Sequence, residues 1–187
     1  PRREEGFLRT WLLLAPIAMA AGQTGAEGLN KVWIENEGGL APKVGDKVRV
    51  GDKELTWKAV EASDFPDLDL YAVDVNDALG SLTEHAVAYA VAYVTAPEEM
   101  KDLQLRVGSD DQCAVWLNGK EVIRSTDAHA IGRDQNQALG VTLVRGTNVI
   151  VFKVVNEIGD WAGCARFTDK NGQPVTGITQ GLMPPGS

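Results

Sequence analysis

The stretch Leu103-Gln-Leu-Arg-Val-Gly-Ser-Asp-Asp-Gln-Cys-Ala-Val-Trp-Leu-Asn-Gly-Lys-Glu-Val122 decides how the chain is read. It spells strand, acidic turn, strand, Asn-Gly turn, strand. Asn118-Gly119 separates two alternating apolar runs, and both residues tolerate the positive φ of a tight hairpin turn. Asp110 and Asp111 sit in the preceding turn, where a carboxylate has no packing role.

The same pattern continues outward. Val87, Tyr89, Val91 and Tyr93 alternate with Ala88, Ala90, Ala92 and Val94, so both faces of that strand are apolar and it belongs at the centre of a covered sheet. Ala138–Val144, Val149–Asn156 and Cys164–Thr168 are further strands, separated by turns at Arg145-Gly-Thr-Asn148 and Gly159–Gly163. Phe7–Leu14 is the first core strand and Leu55–Val60 another candidate. Residues 17–56 are punctuated by glycine, and each interior glycine costs a helix about 1 kcal/mol, so loops and short strands are expected there. Many short strands and no long amphipathic helix predict an all-β antiparallel sandwich. A single domain over 1–187 is expected, with its core over about 7–172 and a tail or linker over 173–187.

The formal charge of −8 argues against nucleic acid, whose phosphates need a basic surface. It also argues against anionic membranes, and the N-terminal apolar run is too short to span a bilayer. Arg2-Arg3 followed by Phe7–Ala15 and Ala18-Met-Ala20 imitates a signal peptide, but Arg9 interrupts the run and Pro16 truncates it. Without an initiator Met the chain reads as a piece of something longer. Cys113 and Cys164 fit neither a zinc spacing nor a Cys-x-x-Cys motif. Their strand phases do not obviously agree, and a disulfide between them stays open.

No nucleophile, phosphate-loop or zincin motif occurs, so an enzyme is not expected. His85 and His129 read as strand-edge and loop residues. Asp110 and Asp111, adjacent in a strand, should point apart, which suits glycoside hydrolysis poorly. They suit a hard cation such as calcium, ligand hydrogen bonding or plain turn stabilisation. The Asp64–Asp77 segment lacks the glycine and terminal Glu of an EF-hand loop and reads as solvated. Trp161, in a Gly-flanked loop, and Trp116, opposite Val115 and Leu117, are candidate platforms for the C–H faces of a sugar. Arg133, Asp134 and Asn156 are candidate partners for its hydroxyls. Trp11, Trp33 and Trp57 are assigned to the core.

Several segments together carry a resemblance. They are Trp-Leu-x-Leu-x-Pro (11–16), the Ala-x-Ala-Tyr strand (within 88–93), Gly-Ser-Asp-Asp (108–111) and Val-Trp-Leu-Asn-Gly-Lys (115–120). Leu-Val-Arg-Gly-Thr-Asn (143–148), Lys-Val-Val-Asn (153–156), Gly-Asp-Trp (159–161) and Arg-Phe-Thr-Asp (166–169) complete the set. The chain resembles the galactose-binding-domain-like jelly roll of carbohydrate-binding modules, and is similar to PA14-type domains. The resemblance spans roughly 7–172. It implies a jelly-roll sandwich, with Asp110 and Asp111 facing calcium and a sugar. Residues 22–53 match no family pattern and read as a variable loop or insertion. The expected function is a non-catalytic carbohydrate-binding or accessory module of a larger exported bacterial protein, extracellular or periplasmic. Its partners would be a glycan and neighbouring domains. The rival expectation is a structural or protein-interaction spacer.

Overall fold

The computed structural model describes residues 5–187; Arg2-Arg3, the basic part of the signal-like pattern, lies outside them. The elements in chain order are β1 (Thr10–Ala18), α1 (Gly25–Asn30), β2 (Lys47–Val50), β3 (Lys53–Thr56), β4 (Lys58–Glu61), β5 (Ser63–Phe65), β6 (Leu70–Asp74), α2 (Val75–Leu79), β7 (Ala86–Ala96), β8 (Met100–Asp110), β9 (Cys113–Leu117), β10 (Lys120–Ser125), β11 (Asn136–Leu143), β12 (Gly146–Asn156), β13 (Ala162–Thr168) and β14 (Thr179–Gly181). One sheet runs β10-β9-β12-β7-β1-β4, and the other β11-β8-β13-β6-β5. β2 and β3 form a separate hairpin. Neighbouring strands within the two sheets pair antiparallel. The protein is an all-β sandwich.

The Asn118-Gly119 turn joins β9 to β10 with both residues at positive φ, 50° and 85°. β7 lies between β12 and β1 and is apolar on both faces, as its sequence requires. Ala88, Ala92 and Val94 face the second sheet, joining Val115, Phe152, Leu105, Val107 and Phe167 in the main core. Trp11 meets Phe152 edge-to-face there, centroids 6.2 Å apart, a geometry that adds about 1 kcal/mol to plain burial. Cys113 faces this core while Cys164 packs in a separate cluster with Phe7 and Leu70, and both are free thiols.

The other face of β7 carries Val87, Tyr89, Val91 and Tyr93, and residues 19–57 cover it. The segment read as a variable loop is therefore a lid with a core of its own. Lys153 pins it. Its Nζ donates to the carbonyls of Leu29 (2.7 Å) and Lys31 (2.5 Å) and to Glu37 Oε1 (2.7 Å). The hydroxyl of Tyr89 donates to the same Glu37 oxygen at 2.7 Å, and that of Tyr93 to the Pro42 carbonyl at 2.6 Å. Gly38 lies so close over Trp116 that a Cβ there would sit 2.5 Å from the indole.

Part of the expected tail is structured. β14 pairs with β7, Gln180 opposite Val94. Gln180 Oε1 accepts from the amides of Arg9 (2.7 Å) and Thr10 (3.2 Å), and its Nε2 donates to the Thr10 carbonyl at 2.9 Å. Among the described residues, no helix is long and apolar enough to cross a membrane.

Candidate functional site

Asp110 ends β8 opposite Ala162 of β13, and Asp111 begins the crossing to the other sheet. The Asp111 amide donates to Val155 O at 2.6 Å, and its Oδ2 accepts from the Glu157 amide at 2.9 Å. Ser109 Oγ donates to the Asp111 carbonyl at 2.8 Å. The Asp110–Asp111 peptide bond is cis. The two side chains do not point apart, as alternation in a strand would require; they lie within hydrogen-bonding reach of each other.

Both carboxyls are buried, and among the described residues no Lys or Arg pairs with either. Burial pushes the Asp110 carboxyl up to about 7, helped by the charge and hydrogen bond of Asp111 and the charge of Asp160. Asn156, between the two residues that bond Asp111, is fully buried. Its Nδ2 donates to Thr83 O (2.6 Å) and Gly159 O (3.1 Å), while its Oδ1 has no hydrogen-bond partner among the described residues. Gln112 Oε1 is a second buried oxygen left without one.

Asp110 opens into a concavity of about 280 Å³. Phe65, Leu68, Ile131 and Trp161 give it apolar walls, while Asp74 and Asp160 add carboxylates; no Lys, Arg or His lines it. Of the expected site residues, Asp110 and Trp161 line it; Asp111 and Asn156 do not, and are linked only through the bonds of Asp111 to Val155 and Glu157 on either side of Asn156. Phe65, Leu68 and Asp74 come from the Asp64–Asp77 segment, which sequence reasoning set aside as solvated. The alternating aspartates and apolar residues were the signal there. Among the described residues, no three His, Cys, Asp or Glu side chains group as a metal site.

Other expected residues lie elsewhere or serve differently. Trp161 is 1% exposed, and its indole packs between the sheets with Nε1 donating to Val154 O at 3.3 Å. It lines the concavity only from beneath. Trp116 is buried under the lid. Neither is the exposed stacking platform expected of it, because the alternate face of β9 is covered and the Gly-flanked loop turns Trp161 inward. Trp33, assigned to the core, is instead half-buried.

Arg133 and Asp134 belong to an ion network on the outer face of the second sheet. Arg166 grips Asp134 with two bonds of 3.0 and 2.5 Å. Arg133 pairs with Glu5 and, at 2.8 Å, with Asp69. Burial alone would raise the Asp134 carboxyl, but Arg166, Arg106 and Arg133 together hold it below its usual range. This network braces the loop carrying Ile131, one wall of the concavity.

No family model and no curated protein matches this chain. Solved structures similar to it include two PA14 domains. The PA14 sugar-binding domain from an RTX adhesin is 15% identical, with 92% of this chain and 96% of that one covered at a TM-score of 0.40. The PA14 domain of the MpAFP antifreeze protein is 11% identical, with 55% and 53% covered at a TM-score of 0.33.

Proposed function

We propose that this chain is a non-catalytic carbohydrate-binding module of a larger exported bacterial protein, working outside the cytoplasm. The concavity at Asp110 takes a neutral glycan. The observation that carries this reading is the Asp110–Asp111 pair, buried and, among the described residues, without a basic partner; Asn156, whose Oδ1 is a buried oxygen without a hydrogen bond, stands between the two residues that bond Asp111. Such oxygens are what a hard cation seeks. Asp110, Asp111 and Asn156 would hold calcium, which when bound supplies the positive charge this pair lacks and coordination for sugar hydroxyls. The apolar walls offer a surface for sugar C–H groups. The surrounding carboxylates disfavour an acidic sugar. Asp110 and Asp111 are hydrogen bonded, closer than the roughly 5 Å that retaining glycoside hydrolysis needs.

Burial of both Trp116 and Trp161 favours the rival reading, a spacer without a sugar ligand. A thermal-shift titration with calcium, then with a panel of neutral oligosaccharides, separates the two. Glycan stabilisation that requires calcium and disappears in Asp110→Asn is the expected result. A response to calcium alone would leave a structural metal site. No response to either would leave the spacer.

A further inference from the structure

We propose a second saccharide site on the lid side of the molecule, built on Trp33 and suited to an acidic sugar unit. Of the five tryptophans, Trp11, Trp57, Trp116 and Trp161 are buried and Trp33 alone is partly open. Its Nε1 donates to Gly28 O at 2.8 Å, which fixes the plane of the ring. The ring lines a cavity of about 250 Å³ between the end of β1 and the β2–β3 hairpin. This is smaller than the roughly 300–1,000 Å³ of pockets for drug-sized ligands, and suits one sugar ring.

Ile17, Val50 and Leu55 supply apolar walls, and Lys31, Asp52 and Lys53 supply the polar groups. Lys31 Nζ lies 4.2 Å from the Trp33 ring centroid. The Arg49 guanidinium donates to the Asp52 carbonyl at 3.1 Å, which braces the hairpin turn that carries Asp52 and Lys53. Lys47, on the same hairpin, pairs with Glu54. No carboxylate of the described residues pairs with Lys31 or Lys53. Two cations against one carboxylate make this lining positive on a chain of net charge −8. The concavity at Asp110 is the reverse, carboxylates without a base.

A hexuronate fits these groups. Its C–H face lies on the indole, as sugars stack on aromatic rings, with the Lys31 ammonium, now over the ring, swung aside. Its carboxylate meets Lys31 and Lys53, and Asp52 accepts from a hydroxyl. The site shares no residue with the one at Asp110, so the two readings stand or fall separately.

The test follows the indole N–H resonance of Trp33, assigned by its loss in Trp33→Phe. The titrants are trigalacturonate, galactotriose and benzoate, with a chelator present to exclude calcium bridging. A saturable shift with trigalacturonate, at least tenfold weaker with galactotriose and weakened by salt, is expected. Lys53→Ala should weaken it about fivefold, the effect of one exposed ion pair, and Asp110→Asn should leave it unchanged. An equal or stronger response to galactotriose would overturn the acidic specificity. A response to benzoate alone would overturn the sugar assignment. An unmoved Trp33 resonance with all three would overturn the site.

Discussion

Asp110 and Lys153 are two different answers to burying an ionisable group. Asp110 has no counter-ion, so it keeps its proton up to about pH 7, against 3.8 for a free side chain. The folded state then binds a proton that the unfolded chain releases between those values. The resulting stability is full below about pH 4 and is lost as pH rises through 7. Urea unfolding without metal should show wild type falling in stability over this range relative to Asp110→Asn; parallel profiles would mean the proton is not held. Lys153 is instead paired. Burial lowers its pKa, while the hydrogen bond and charge of Glu37 oppose the shift. Lys153→Ala leaves Glu37 buried without its cation and should cost about 3–5 kcal/mol in denaturant unfolding. Lys153→Met with Glu37→Gln should recover much of that. The Lys153–Glu37 pairing is not legible in the sequence, because Glu37 lies 116 residues from Lys153. The Asp110–Asp111 pair was legible as a candidate; the approach of the two carboxyls to each other was not.

Strands and turns were read more fully than side-chain environments. The two apolar faces of β7 and the Asn118-Gly119 turn are local patterns, and local patterns survive folding. Trp161 shows where this stops: flanking glycines suggest an open loop, yet Gly163 lets the ring of Phe152 come within 3.1 Å of where a Cβ would stand, and Trp161 packs inward beside it. The lid was missed for a related reason. Glycine-rich residues 17–56 have no periodicity, although Thr24 and Glu27 do form the capping box of α1. β14 was hidden by the Pro-Pro-Gly that follows it and by the distance to its partner. Gln180→Ala removes three bonds to β1 and should speed hydrogen exchange at the Arg9 and Thr10 amides, with a stability loss of about 1–3 kcal/mol. Unchanged exchange there would show that β14 is not held by its glutamine.

Over the whole molecule, the Trp33 site lies between the end of β1 and the β2–β3 hairpin, the Asp110 concavity is lined from the second sheet, and the two share no residue. Stability changes from Trp33→Phe and Asp110→Asn should therefore add to within about 0.5 kcal/mol in the double variant; a larger discrepancy in denaturant unfolding would reveal coupling through the sheet.

The place where β14 meets β1 has a mechanical meaning. Gln180 stands opposite Val94, and Asn156 opposite Ala86. Those positions are eight residues apart on β7, about 26 Å at 3.3 Å per residue. Tension entering through the segment before Arg9 and leaving through the segment after Gly181 would be shared by the Gln180 bonds, the β14–β7 pairing and the bond from the Leu8 amide to the Ala165 carbonyl. Asp110 and Asp111, at the far end, would keep their shape while the protein is pulled taut.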